Sequence, residues 1–213
     1  MSTKFMYERL LKCQEANKLV AIYASREDEY FEAGYIEAVT ASDVMFRSRR
    51  SDGYEEGHVV LPLELVYRIE IDTAHLKTSE LLAKHLNQPI SSGLFEKAPN
   101  KKHSLFEIAA DYVYQSKEII FIDIIGDETP AIGIIAENEY EGLEIALVDD
   151  EGRLDGTCWI KKEDILALRF GGSVEQDLMN KLRISPLFLQ GGLILKVRDV
   201  NNTYQKNKLY GSI

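Results

Sequence analysis

Apolar residues recur along this chain with two periods, one helical and one extended. Met6, Leu10 and Cys13 stand at steps of four and three, and Leu105, Ala109 and Tyr112 repeat that spacing, so each set lies on one face of an expected helix. Ser104 followed by Glu107 forms a capping-box pattern at the start of the second of these helices. Residues 19–24 and 118–125 are short runs rich in Val and Ile and read as buried strands. Second strands follow at 31–39 and 131–137, with Gly34 or Gly133 inside, where a glycine suggests a bulge or sharp bend. Alternation of Val44, Phe46 and Ser48, and of Leu143, Ile145 and Leu147, predicts third strands with one apolar face. Ser51-Asp52-Gly53 and Asp150-Glu151-Gly152 then mark hairpin turns. Fourth strands at 58–61 and 157–160, single turns at 62–65 and 161–164, and fifth strands at 66–71 and 165–170 complete the β pattern. Each set closes with a helix, expected to bury Leu81, Leu82 and Leu86 in the first and Val174, Leu178 and Leu182 in the second, the latter capped by Ser173 and Gln176.

The two sets are one pattern repeated. Gly34, Gly53 and Gly57 return as Gly133, Gly152 and Gly156 at a constant difference of 99 (133 − 34, 152 − 53, 156 − 57). The same offset matches Glu8 with Glu107, Lys18 with Lys117, Asp28-Glu29 with Asp127-Glu128 and Glu64 with Glu163, all without a gap. A repeat of that length can bury a core of its own, so it reads as a tandem domain duplication rather than a solenoid. The expected fold class is mainly β with flanking helices (α+β). Its divisions are a first helix-strands-helix repeat at 1–88, a linker at 89–102 with Pro89, Ser91-Ser92-Gly93 and Lys101-Lys102, a second repeat at 103–184, and an extension at 185–213 with a hairpin or edge strand around 187–197.

A helix followed by five strongly bent strands, with a single turn between the fourth and fifth, resembles the Sm-like small barrels over residues 3–72 and 102–171. Ala41-Ser42-Asp43-Val44-Met45-Phe46 stands where the first Sm motif places its Asp, and Asp43 matches in type; its partner in the second copy is Gly142. The second Sm motif, an Arg-Gly pair in the fourth strand, is absent from His58-Val59-Val60-Leu61 and from Thr157-Cys158-Trp159-Ile160. The resemblance therefore implies two tandem five-stranded small barrels without the family's usual RNA pocket. The stretch from Asp155-Gly156 through Ile160 to Asp164-Ile165 also resembles proteins of low-GC Gram-positive bacteria, which implies no activity.

Charge sharpens this picture. Of the formal −10, residues 1–102 hold 14 Lys+Arg against 16 Asp+Glu and residues 103–213 hold 11 against 19, so most of the negative charge sits in the second repeat. That potential opposes non-specific attraction to nucleic-acid phosphates. Cys13 and Cys158 fall at non-equivalent places, which argues for reduced thiols and a cytoplasmic chain. The longest apolar runs are interrupted by Asp123 or Glu144, so no membrane association is expected.

Arg47, Arg49 and Arg50, with Tyr54 and with Arg68 on a neighbouring strand, are candidates for a binding face toward an acidic partner or a nucleic-acid backbone. Asp149, Asp150 and Glu151 stand at the matching hairpin of the second copy and are candidates for their charge partners, within the chain or between copies joined through sheet edges. His58, His75, His85 and His103 show no ligand spacing, so no metal is expected, and Cys158 beside Trp159 reads as a packed thiol. No phosphate loop, nucleophile elbow or dinucleotide fingerprint occurs, and no cofactor is expected. The chain thus reads as a non-enzymatic macromolecule-binding protein with a protein partner, with RNA binding through the arginine face as the alternative.

Overall fold

The structure, a computed structural model, describes residues 3–25, 30–87 and 104–184. The expected linker, the turn acids Asp28 and Glu29, His103 and the extension at 185–213 lie outside those residues. In chain order the described elements are α1 (Thr3–Glu15), β1 (Leu19–Tyr23), β2 (Glu32–Val39), β3 (Asp43–Arg49), β4 (Glu55–Pro62), a 3-10 turn (Leu63–Leu65), β5 (Arg68–Ile71) and α2 (Ala74–His85). They repeat as α3 (Leu105–Ser116), β6 (Ile119–Ile124), β7 (Ala131–Asn138), β8 (Gly142–Val148), β9 (Leu154–Lys161), a 3-10 turn (Lys162–Asp164), β10 (Ile165–Phe170) and α4 (Ser173–Ile184).

All ten strands belong to one open antiparallel sheet, in the order β5-β1-β2-β3-β4-β10-β6-β7-β8-β9. Each half keeps the same internal order, with its fifth strand beside its first. The halves join where β4 pairs with β10, through Leu168 with Val60, Arg169 with Val59 and Phe170 with His58. The pairing thus runs straight from one half into the other and leaves β5 and β9 as the outer strands.

Register refines the repeat. Leu19 pairs with Tyr35 and Val20 with Gly34, whereas Ile119 pairs with Ile134 and Ile120 with Gly133. The first strands are therefore equivalent at an offset of 100 (120 − 20), while the remaining strands match at 99. The helix ends agree, because Asn17 and Lys117 both adopt the left-handed conformation after their helices. Cys13 is thus opposite Val113, not Tyr112, and the gapless alignment fails by one residue between the first and second strands.

Gly34 and Gly133 permit close crossing of the next strand. A Cβ on Gly34 would fall 2.5 Å from the Arg47 carbonyl oxygen, and one on Gly133 would fall 2.2 Å from that of Ala146. The register shifts lie beyond these glycines, between Ile36 and Ala38 and between Ile135 and Glu137. Each shift adds a residue to one strand and increases its local twist.

Helices cover both faces. Met6, Leu10 and Cys13 of α1 pack with Val20, Ile22, Phe46 and Leu61. Leu105, Ala109, Ala110 and Val113 of α3 pack with Ile120, Ile135 and Ile145, and the same core takes in Met45 and Val60 from the first half. Each fully buried Leu, Ile or Phe contributes about 1.5–3 kcal/mol. In α2 the buried face is Leu76, Ser79 and Ala83, while Leu81 and Leu82 are exposed; in α4 Leu178, Met179 and Leu182 are buried and Val174 is exposed. The hairpins lie against the helix backbones: a Cβ on Gly53 would fall 2.6 Å from the Ala83 nitrogen, and one on Gly152 2.8 Å from the Leu182 nitrogen.

Gly57 and Gly156 test the junction directly. Both have positive φ, but a Cβ at Gly57 would fall 2.4 Å from the Gly172 nitrogen and the Phe170 oxygen across the junction, whereas Gly156 faces open space. Gly57→Ala is expected to cost about 2–4 kcal/mol, combining overpacking with left-handed strain, and Gly156→Ala only about 1 kcal/mol. Urea denaturation of the two variants measures the difference.

Candidate functional site

The arginines of the third strand do not form an exposed face. Arg47 is only 1% exposed and its guanidinium lies 3.4 Å from Glu55 Oε2. Arg49, 3% exposed, donates from Nη1 to the Gly53 carbonyl at 2.8 Å and lies 5.5 Å from the Tyr35 ring centre. Arg50 is half-exposed and pairs with Asp52 at 2.8 Å, beside the exposed Tyr54. Arg68 sits three strands away on β5, bonded to Glu70 and 4.5 Å above the Tyr23 ring. Arg47 and Arg49 therefore do not belong to an exposed patch, whereas Arg50, Tyr54 and Arg68 are exposed. Every residue of β3 is buried, and a register shift between Arg47 and Arg49 breaks the alternation on which a solvated strand face depends.

The acidic hairpin is likewise satisfied locally. Asp149 accepts from Arg153 Nε at 2.8 Å, Glu151 pairs with Arg153 at 2.8 Å, and the Asp150 carbonyl accepts from Lys181 at 2.8 Å. Hydrogen bonds from the Arg153 backbone and side chain hold the Asp149 carboxyl below the ordinary carboxylate range. Local ion pairs thus form in each hairpin, Arg50 with Asp52 in the first and Arg153 with Asp149 and Glu151 in the second.

Different residues join the halves. Asp43 is buried, and its Oδ2 accepts from Ser104 Oγ at 2.7 Å and from the Leu105 amide at 3.0 Å. Ser104 Oγ in turn accepts from the Phe106 amide at 3.1 Å, so Ser104 caps α3 as its pattern implies. Glu107 does not complete that box; it pairs with Lys162 at 2.8 Å. Arg169 of the second half binds Glu32 of the first at 3.1 Å and also binds Asp123. His58 Nε2 lies 3.2 Å from Glu37 Oε2, and its ring stacks on Phe170 with centroids 5.1 Å apart. Glu37 is the added residue at the β2 register shift, so the bulge aims its carboxylate.

A cavity of about 450 Å³ lies beside this seam, lined by His58, Tyr112, Glu118, Phe170, Glu175 and Arg183 among others. The Tyr112 hydroxyl donates to Glu118 at 3.2 Å, and burial and that carboxylate push its pKa up. Burial pushes the Glu175 carboxyl up, with Glu56 adding to the shift and Arg169 opposing it. Desolvation also raises Glu56. The seam thus holds carboxylates in a poorly solvated setting, beside a phenol whose proton is held more tightly than usual. Burial also raises Cys13 and Cys158, which keeps both as thiols.

The outer strands present the remaining open geometry. Among the described residues no strand pairs with the far side of β9 or of β5. On β9 Trp159 is 74% exposed, with Nε1 donating to Glu144 at 3.2 Å, and the nearby Tyr140 is 93% exposed. Glu137 pairs in register with Glu144 and Glu144 with Trp159, so these three form one row across β7, β8 and β9. A groove of about 330 Å³ runs along that row and takes in Glu139 and Glu141. A second, of about 580 Å³, runs by Cys158, Leu147 and Pro130, with Asp127 and Asp164 at its rim. Sequence reading passed over Trp159, whose exposure follows from its place on an outer strand. A lone tryptophan flanked by Asp155, Thr157 and Lys161 was the available signal.

No helix among the described residues is long and apolar enough to cross a membrane. Comparison of the chain with protein-family models, with curated proteins and with solved structures returned no match.

Two outcomes follow for the seam. Asp43→Ala leaves a buried amide and hydroxyl without their acceptor and is expected to cost about 2–3 kcal/mol, read from thermal unfolding. For Glu175 the folded pKa lies above the ordinary value, so above about 4.5 the folded chain retains a proton that the unfolded chain has released. Its contribution therefore declines as pH rises from that value through the raised folded pKa. Glu175→Gln should raise the urea midpoint at pH 7 and lessen the loss of stability between acid and neutral pH.

Proposed function

We propose that this chain is a non-catalytic protein-interaction module, built from two Sm-like small-barrel units side by side, that binds a protein partner by adding a strand to β9, an edge of its sheet that no described strand covers. The observation that carries this reading is the β4–β10 junction. There the fold recruits a strand in antiparallel register onto the outer strand of a unit. β9 occupies in the second unit the place of β4 in the first, since both follow the third strand of their unit in the same register at an offset of 99. An edge that no described strand covers offers a row of backbone donors and acceptors, and main-chain hydrogen bonds supply the affinity of strand addition. Natural edges are blunted against indiscriminate pairing, and β9 carries Asp155, Lys161 and a positive-φ glycine at 156 that limit addition to its later half.

The alternative of RNA binding is the less supported reading, because Arg47 and Arg49 are buried and bonded within the protein, which leaves Arg50, Tyr54 and Arg68 as the exposed members of that face. A catalytic role finds no support in the seam, where the polar groups mainly bind one another.

Selection of peptide binders from an unbiased library against the full chain tests the reading. Selected peptides should protect the backbone amides of residues 157–161 from hydrogen exchange. N-methylation of alternate peptide amides should weaken binding about tenfold or more, since it removes main-chain donors. Binders that protect only helical or hairpin surfaces, and tolerate N-methylation, would sink the proposal.

A further inference from the structure

The occupant of the β9 edge is narrowed by comparing that edge with the junction it parallels. We infer that β9 and the carboxylate row beside it take a basic extended polypeptide segment of another protein, with lysine or arginine at alternate positions; this rests on the strand-addition reading above. At the junction, Ala38, Met45 and Val60 form the row on the first unit's sheet, and all three are buried in the core that α3 completes. The equivalent row at the β9 edge is Glu137, Glu144 and Trp159. An apolar face made to receive a helix has become a face with two carboxylates and an exposed indole.

A second copy that paired β9 with β9 would set two carboxylate rows side by side, and one that repeated the junction with β5 in the place of β10 would bring together parts that do not fit. Asp43, which caps α3, corresponds to Gly142, so the incoming helix would lose its acceptor. Gly172, where a Cβ would fall 2.7 Å from the Glu56 carbonyl oxygen, corresponds to Thr73, which has a Cβ. The attraction of Glu56 by Arg169 becomes repulsion between Asp155 and Glu70. The stacking of Phe170 on His58 becomes Ile71 against Thr157. One equivalent points the other way: Arg9, at the place of Ala109, is exposed and cationic.

The chemistry of the two grooves then defines the segment. Side chains of an added strand point alternately to its two faces. Those on the Glu137–Glu144–Trp159 side meet carboxylates and an indole, a setting that favours lysine or arginine through charge pairing and cation–π contact. Those on the other side meet Leu147, Pro130 and Cys158, which favours apolar residues.

The test uses the full chain and short acetylated peptides in which valine alternates with lysine, serine or glutamate. The lysine peptide should protect the amides of residues 157–161 and bind about tenfold more tightly than the serine peptide, with the advantage shrinking at high salt. Glu137→Gln combined with Glu144→Gln should remove that tenfold preference, and Trp159→Ala should weaken the lysine peptide about fivefold. Equal protection by the serine and lysine peptides would overturn the basic specificity and leave strand addition standing. Protection at 157–161 by none of the three, when peptides from the unbiased selection do protect it, would also overturn this inference alone; failure of both sets removes the edge reading with it. Concentration-dependent self-association that is weakened by Arg9→Glu would identify a second copy as the occupant and overturn the inference.

Discussion

Three main-chain pairings at the seam, Leu168 with Val60, Arg169 with Val59 and Phe170 with His58, turn two repeats into one sheet. Backbones approach there more closely than side chains allow, so Gly57 and Gly172 face each other with no room for a Cβ on either. Around this contact the polar groups divide by role: Asp43 fixes the helix of the second unit, Arg169 spans both units, and His58 links a bulge on one to an aromatic ring on the other. None of these has a chemical equivalent at the outer edges. The facing surfaces of the two units thus carry groups that fit each other and that the outer edges lack.

Much of the fold was legible because the physics that specifies it is local. Short β-branched runs, acidic turns followed by glycine and helical spacing place the elements within a few residues of where they lie. The offset of 99 holds through the second to fifth strands because a one-residue slip would turn every apolar side chain to the wrong face. It fails in the first helix and strand, where a difference in the following turn absorbs the extra residue. Which face of α2 and α4 is buried was not legible. There the hairpin glycines press against the helix backbone, a contact between segments about thirty residues apart.

The candidate site was legible only in part, for a related reason. Arg47, Arg49 and Arg50 look like a charge run, and such runs are usually solvated. Here the strand that carries Arg47 and Arg49 is central, covered on both faces, and these two are held by Glu55, a hairpin carbonyl and the Tyr35 ring, while Arg50 beyond its end is half-exposed. Charge composition cannot separate a buried, paired guanidinium from an exposed one. Trp159 is the converse case, an aromatic in a strand sequence that reads as core until the strand is found at the end of the sheet. In both, position in the sheet decides exposure: β3 lies between β2 and β4 of its own repeat, whereas β9 is an outer strand where its counterpart β4 is covered by β10.

The carboxylate of Asp43 gives the repeats a direction in time. A ribosome delivers the first unit before the second, and domains generally fold in that order during synthesis. The acceptor for the leading amide of α3 is thus already in place when that helix emerges, and so are Met45 and Val60, which its apolar face covers. The earlier unit acts as a template for the later one. Exchanging the order of the two repeats in the gene would preserve every residue and every local propensity, yet would present the nascent second helix with Gly142 in place of its template's carboxylate.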